Sequence, residues 1–335
     1  MYSGLIPFSK YLKSEPLAYN PRKRIPNPYV TSEGIPILVC IEGKNFDLML
    51  EVGLNIMGGL NKLISYNQDV LIKPNLVWDE NYPTTSDSKT ISKIINELQK
   101  VTWGAISVGD QGGKDMKGIY NYLNTGDAVF GAGANLVTFS EICYVGRYGW
   151  DLKLPHLEVY SEVYKKPVVI NLCTLKRHLN AYLTCSLKNN FGAIVGPMAT
   201  GSRGYLHQAP AFSISFLQRI AEVAGLINPE LNIVDAREIM IDRGPLLEYG
   251  GIIKKDVDKI IISGDMVATD SYCAKLMEKY DPTFSSESIM PTLKRAEDIG
   301  LGVADLNKVK IIEVNMTDYN YFRFRKRPKK FLGKK

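Results

Sequence analysis

Between residues 169 and 192 the chain carries two lysines, a histidine, amides and a hydroxyl in regular spacing. Lys176, Asn180, Thr184 and Lys188 fall four residues apart, which predicts one face of a helix, with Tyr182, Leu183 and Leu187 packing elsewhere on it. The segment opens as an apolar β run at Val169, so these groups and His178 would converge just past a strand end. Ammonium groups and an imidazole gathered there suit an anion or a metal-linked substrate, because lysine neutralises charge and histidine exchanges protons near neutral pH. The polar face of a surface helix accounts for the same stripe without any chemistry.

Four further segments put polar residues where an apolar strand ends, the position at which open α/β sheets bind ligands. Val70-Leu-Ile runs into Lys73-Pro74-Asn75, leaving a lysine at the tip that can hold an anion or act as a base. Residues 105–108 run into Gly109-Asp110-Gln-Gly-Gly113, where glycines would let backbone N–H groups approach an anion. Neither a Walker loop nor a Gly-x-Gly-x-x-Gly fingerprint is present, and a tight turn explains this loop equally well. Asp235 ends the run 232–234, with Asp242-Arg-Gly-Pro245 downstream. Asp265 leaves the run 261–263 and Asp270 follows in a helical pattern. Asp235, Asp265 and Asp270 are candidate ligands of a divalent metal; the competing account has Asp265 capping a helix and Asp270 favouring its positive end. Residues 196–207, with Arg203 and His207, read as a mobile loop that could fold over a ligand.

Strands are expected at 37–41, 70–73, 105–108, 135–139, 168–172, 232–234, 259–262 and 309–314. Helices are expected at 46–64, from the cap at 86–88 to about 102, and at 212–224, 267–279 and 288–298. Short β-branched strands alternating with helices predict an α/β fold, layered and mostly parallel, with helices flanking the sheets. Two lobes, 35–150 and 165–315, would enclose a cleft, with the Pro- and Gly-containing stretch 145–167 as the seam. Residues 1–34 read as an irregular arm ahead of a main domain spanning 35–320, and 321–335 as a basic tail.

The 335 residues carry a net charge of +6, but the tail alone holds eight basic residues and no acid, so the rest carries −2. Phe322, Phe324 and Phe331 interleave with those bases, a pattern that could touch nucleic acid; a short solvated terminus accounts for it better, and nucleic acid is not the expected partner. No apolar run is long enough for a membrane span, and no leader pattern opens the chain. The five cysteines are scattered and odd in number, with no Cys-x-x-Cys pair, which fits a reducing compartment and a cytoplasmic location.

Taken in order, these segments resemble the domain-of-unknown-function family 362. The resemblance lies in Lys73-Pro74-Asn75, Gly109-Asp110, Lys176-Arg177-His178, Thr184, Leu187-Lys188-Asn189 with Gly192, and His207. It continues through Asp235-Ala236, Gly244-Pro245, Asp265 with Ala268 and Asp270, Gly300-Leu301-Gly302 and Asp305-Leu306. It covers about 36–315, and it departs at Arg177, where relatives carry threonine. Many relatives also carry a ferredoxin-like cysteine cluster or a twin-arginine leader, neither of which this chain has. No intrinsic iron–sulfur cluster is therefore expected.

The leading expectation is an enzyme for a small anionic ligand, a carboxylate or phosphate, with metal- or redox-linked chemistry. Lys73, Lys176 and His178 would be the catalytic groups. Asn75, Asp110, Thr184, Lys188, Asn189, Arg203 and His207 would bind substrate. The alternative implied by the resemblance is a non-catalytic electron-transfer accessory working with a separate iron–sulfur or ferredoxin-like protein. Nucleic-acid binding through the tail is a third.

Overall fold

The computed structural model describes residues 20–113, 115–146, 156–196, 201–207 and 214–316. The basic tail 321–335 lies outside them. Twelve strands are present among the described residues: β1 (Ile37–Glu42), β2 (Val70–Lys73), β3 (Ile106–Val108), β4 (Asn135–Leu136), β5 (Ile142–Val145), β6 (Leu157–Tyr160), β7 (Val168–His178), β8 (Tyr182–Thr184), β9 (Leu231–Asp242), β10 (Gly251–Lys254), β11 (Lys259–Ser263) and β12 (Lys310–Asn315). The helices are α1 (Phe46–Met57), α2 (Ser88–Gln99), α3 (Met116–Tyr122), α4 (Thr125–Gly131), α5 (Ser161–Tyr164), α6 (Ser186–Asn189), α7 (Gly201–His207), α8 (Ile214–Ile227), α9 (Met266–Tyr280) and α10 (Met290–Asp298).

Ten strands form one sheet in the order β12-β1-β11-β9-β7-β2-β3-β4, with β10 continuing from β9 and β8 from β7. It is mixed but mostly parallel: of the pairs along that path, only β1–β11 and β11–β9 are antiparallel. β5 and β6 make a separate antiparallel ribbon. Strands from 35–150 and from 165–315 share the one sheet, with β1 lying between β11 and β12.

Both faces are covered, which is why the central strands read as unbroken apolar runs. Val169, Val234 and Ile261 pack with α8, α9 and α10 on one face. Their sequence neighbours Val168, Ile170, Ile233, Ile260 and Ile262 pack with α1, α2 and α4 on the other. The chain leaves β2 toward β3 and β4 on one side and leaves β7 toward β9 on the other. The parallel neighbours β2 and β7 therefore flank a topological switch point, where the crossovers part and a crevice opens at the strands' carboxyl ends.

Four local expectations change. The stripe 176–188 is not a helix: Lys176 and His178 end β7, and a tight hairpin brings Thr184 of β8 opposite Lys176. Only Ser186–Asn189 is helical there. The helix expected over 46–64 stops at Met57, where Gly58 adopts a left-handed φ of 97° and its N–H closes the last turn. Of the loop expected over 196–207, Gly201–His207 is a helix. The strand expected over 135–139 is the two-residue β4.

Candidate functional site

A cavity of about 300 Å³ opens at the β2/β7 switch point. Asn75 from the end of β2, Asp110 from the end of β3, Lys176 and His178 from β7, and Thr184 from β8 all line it. Lys188 and Asn189 of α6 and Arg203 and His207 of α7 complete the polar wall. Lys73 sits directly beneath. Its Nζ lies 2.7 Å from Asp110 Oδ1, while Asp110 Oδ2 accepts from Leu76 N at 2.7 Å. Gly192 makes this pairing possible, since a Cβ there would sit 2.0 Å from Asp110 Oδ1 and 2.6 Å from Lys73 Nζ. Every catalytic and substrate-binding candidate from the sequence thus belongs to one neighbourhood.

Strand alternation sorts the Lys176-Arg177-His178 run. Lys176 and His178 share the cavity side, while Arg177 projects oppositely, pairs with Asp281 at 2.7 Å and lies over Phe284. The β7–β9 register shifts between Thr174 and Lys176, an irregularity of the kind that re-aims a side chain beside a site.

The lysines differ in their partners. Lys73 is ion-paired. Lys176 donates to Asn75 Oδ1 at 3.1 Å and to the Thr84 carbonyl, and burial holds its pKa down at about 7 against the pull of Asp110 and Glu80. Lys188 has no hydrogen-bond acceptor among the described residues; its Nζ stands 3.6 Å above the centre of the Phe191 ring. Burial, then the charges of Arg203, Lys176 and Lys73, push its pKa well below the ordinary lysine value.

The two imidazoles are held in opposite tautomers. Asn180 N–H donates to His178 Nδ1 at 3.0 Å, so His178 carries its proton on Nε2. His207 Nδ1 lies 2.8 Å from the Arg203 carbonyl, an acceptor only, so His207 carries its proton on Nδ1 and Nε2 is the free base. Burial and the nearby Lys188 keep both neutral, with His207 lowered to about 3.

Behind this wall runs a chain of buried amides. Lys176 donates to Asn75, Asn75 to Asn189 at 2.9 Å, Asn189 to Asn171 at 2.8 Å and Asn171 to Asn232 at 3.0 Å. Every Nδ2 points the same way along it, which fixes the amide orientations from α6 to β9. Asn171 and Asn232 escaped the sequence reading because an amide inside an apolar strand gives no motif. So did the walls Trp78, Phe191, Leu246 and Tyr249, which are aromatic and aliphatic residues far apart in sequence.

The three aspartates named as metal ligands lie elsewhere, and each already has a role. Asp235 is gripped by Arg237 at 2.9 and 2.6 Å and accepts from Tyr82 and Thr90. Asp265 caps α9 through Val267 N and Ala268 N and accepts from Val303 N. Asp270 accepts from Ser186 N and Leu187 N, capping α6 from the neighbouring helix, and burial lifts its pKa to about 6. None of them lines the cavity, and among the described residues no group of three or more His, Cys, Asp or Glu could hold a metal ion. All five cysteines are buried. No helix among the described residues is long and apolar enough to cross a membrane.

The family model described as "Domain of unknown function (DUF362)" matches residues 70–275, the span that carries every cavity residue named above. A thylakoid-associated protein of Synechocystis sp. is 27% identical over 256 residues, covering 74% of this chain and 73% of that protein. Among solved structures, a lactate racemase apoprotein from Thermoanaerobacterium thermosaccharolyticum superposes with a TM-score of 0.46 at 10% identity, covering 73% of this chain and 57% of that one. A Thermotoga maritima protein gives 0.38 at 9%, covering 77% and 60%. The chain thus spans about three fifths of the length of these two structures.

Proposed function

We propose that this chain, which belongs to the family of unknown function DUF362, is an enzyme that binds a small carboxylate or phosphate in the switch-point cavity and acts on it with His178 and His207. One observation carries the reading: buried donors around one cavity lack acceptors. Thr184 Oγ1 and Arg203 Nε are buried without a hydrogen-bond partner, and Lys188 Nζ has none among the described residues. Leaving such groups unmet costs about 1–3 kcal/mol each, more when charged, so native proteins rarely tolerate several together unless something else supplies the acceptors. Here all three are donors and two belong to cationic residue types. The missing partner is therefore rich in acceptors and negative.

The imidazoles supply the chemistry. His178 offers an Nε2–H and His207 an Nε2 lone pair, an acid and a base at one cavity. Both are neutral before the substrate arrives, so His207 Nε2 can take a proton at once and His178 Nε2–H can donate a hydrogen bond to a developing oxyanion. Lys73, paired with Asp110 below the floor, would support the site electrostatically while Lys176 and Lys188 face the ligand.

Calorimetric titration tests this with acetate, 2-hydroxybutanoate and inorganic phosphate below neutral pH. At least one should bind the wild-type protein, with affinity lost in Lys188→Met and reduced in Thr184→Val. Absence of binding by all three, or binding that survives Lys188→Met, overturns the proposal.

A further inference from the structure

We propose that Lys188 is a nucleophilic amine that captures the carbonyl carbon of a small 2-oxo acid as an imine. This rests on the anion-binding reading and adds the reactive atom to it.

The geometry separates Lys188 from the other buried lysines. Lys73 has a carboxylate at 2.7 Å, and Lys176 has an amide oxygen and a carbonyl; each is held in place by acceptors that suit an ammonium and occupy its N–H groups. Lys188 is 8% exposed, faces the cavity and meets no acceptor among the described residues. A ring face lies against it, the two neutral histidines share its cavity, and the charges of Arg203, Lys176 and Lys73 act on it. Burial among like charges drives a lysine toward the free amine, and the free amine is the nucleophile. Attraction between ammonium and the Phe191 ring opposes this, but it is one favourable contact set against burial and three neighbouring cations.

Phe191 fixes the arrangement. Lys188 lies on its face, and His207 meets it edge-on with ring centres 5.5 Å apart. The nucleophile and the free base of His207 are therefore built on one side chain. Arg203, whose other nitrogens hold the carbonyls of Gln111, Gly112 and Ile194, keeps its buried Nε unsatisfied, a fixed donor for the carboxylate of the same substrate.

The step balances within these groups. Lys188 Nζ bonds to the carbonyl carbon and the C=O π bond opens onto oxygen, which accepts a hydrogen bond from His178 Nε2–H. The two hydrogens lost from the amine are carried in turn by His207 Nε2 to that oxygen, which leaves as water, and both imidazoles end as they began. The C=N bond that remains, once protonated, withdraws electrons from the neighbouring carbon, which is what a later proton transfer or carbon–carbon cleavage at that carbon requires.

The test is reductive trapping. The full chain is incubated with 2-oxobutanoate and sodium cyanoborohydride below neutral pH, where the reductant spares the free ketone and solvent-exposed lysines are protonated and react poorly. Intact mass and peptide mapping then locate any adduct. One reduced adduct per chain on Lys188 is expected, with none in Lys188→Arg or Lys188→Met, whose folding is checked by circular dichroism. 2-Hydroxybutanoate, which has the carboxylate and no carbonyl, is titrated in parallel. If it binds and no adduct forms, or adducts fall only on Lys176 or exposed lysines, the imine proposal is overturned and the anion site stands. If it does not bind and no adduct forms, both fall.

Discussion

The carboxylates in and beyond β9 and β11 and the donors beyond β7 are all buried, yet they stand in opposite states. Asp235, Asp265 and Asp270 are 1–4% exposed, and each is met by an arginine fork or by backbone N–H groups. Thr184, Arg203 and Lys188 are 4–8% exposed, and each keeps a donor that no acceptor among the described residues meets. In sequence neither set declares its state: the aspartates were readable as ligands or caps, and Thr184, Lys188 and Arg203 as a site or as a solvated helix face and loop. The difference is one of satisfaction. A buried polar group whose partners are all supplied by the chain stabilises the chain, and one left open at a cavity is stabilised by something that comes and goes.

The sharpest way to break this contrast is Lys188→Met. Removing the Lys188 amine takes away a buried partner of the anion, which costs about 2–5 kcal/mol of binding, so anion affinity should fall at least about thirtyfold. Stability should hold or rise by about 1 kcal/mol, because the unmet amine is replaced by an apolar chain of similar shape. Titration and thermal melts read the two effects separately. A large loss of stability would mean that Lys188 supports the fold as the aspartates do.

Gly192→Ala should cost both properties. Its Cβ would fall 2.0 Å from Asp110 Oδ1, so the Lys73–Asp110 pair must open or α6 must shift. Disturbing a buried pair costs about 3 kcal/mol, and moving α6 carries Lys188 and Asn189 with it. A variant with unchanged melting and binding would show that the floor of the cavity is not held by this pair.

Asp235→Asn tests the other side of the comparison. It removes the anion from the Arg237 fork, leaving Arg237 with Asp87 at 3.0 Å and the faces of Phe46 and Tyr82. Arg237 is partly exposed, so the loss should be about 2 kcal/mol of stability, less than for a fully buried pair. Anion affinity should not change. If affinity falls with stability, the two regions are coupled and the contrast is too simple.

How much of this was legible in the sequence follows from the same physics. The strands were visible because a sheet covered on both faces leaves long β-branched runs; Lys73 and Asp110 stood out because they end such runs, and Lys176 and His178 because a polar stripe follows one. The helical reading of 176–188 failed for a specific reason. A spacing of four marks a helix face, but it also places Lys176 opposite Thr184 across a tight hairpin, and the pairing of β7 with β2 and β9 decided between them. The residues were gathered as expected by a different element. Asp265 was readable either way, as cap or as ligand, and the cap prevailed once Val267 and Ala268 presented their N–H groups. The cavity walls were not legible, because Trp78, Phe191 and Tyr249 meet only through the fold.

The smallest effect concerns pH and isolates Lys176. In the empty protein burial holds its pKa at about 7, below the ordinary 10.5. An anion in the cavity adds an opposite charge and raises that value, so above about pH 7 binding must take up a proton that the empty site has lost. Affinity should therefore be level below pH 7 as far as Lys176 is concerned, and fall as pH rises, by up to about tenfold (about 1.4 kcal/mol) per pH unit until the bound-state value is reached. Titration in buffers of different ionisation enthalpy should reveal the uptake directly, and Lys176→Arg, which keeps the charge at every pH, should remove Lys176's share of the slope. A pH dependence unchanged in Lys176→Arg would place this ammonium with the satisfied, structural groups, beside Lys73 and Asp110, rather than with those that meet the ligand.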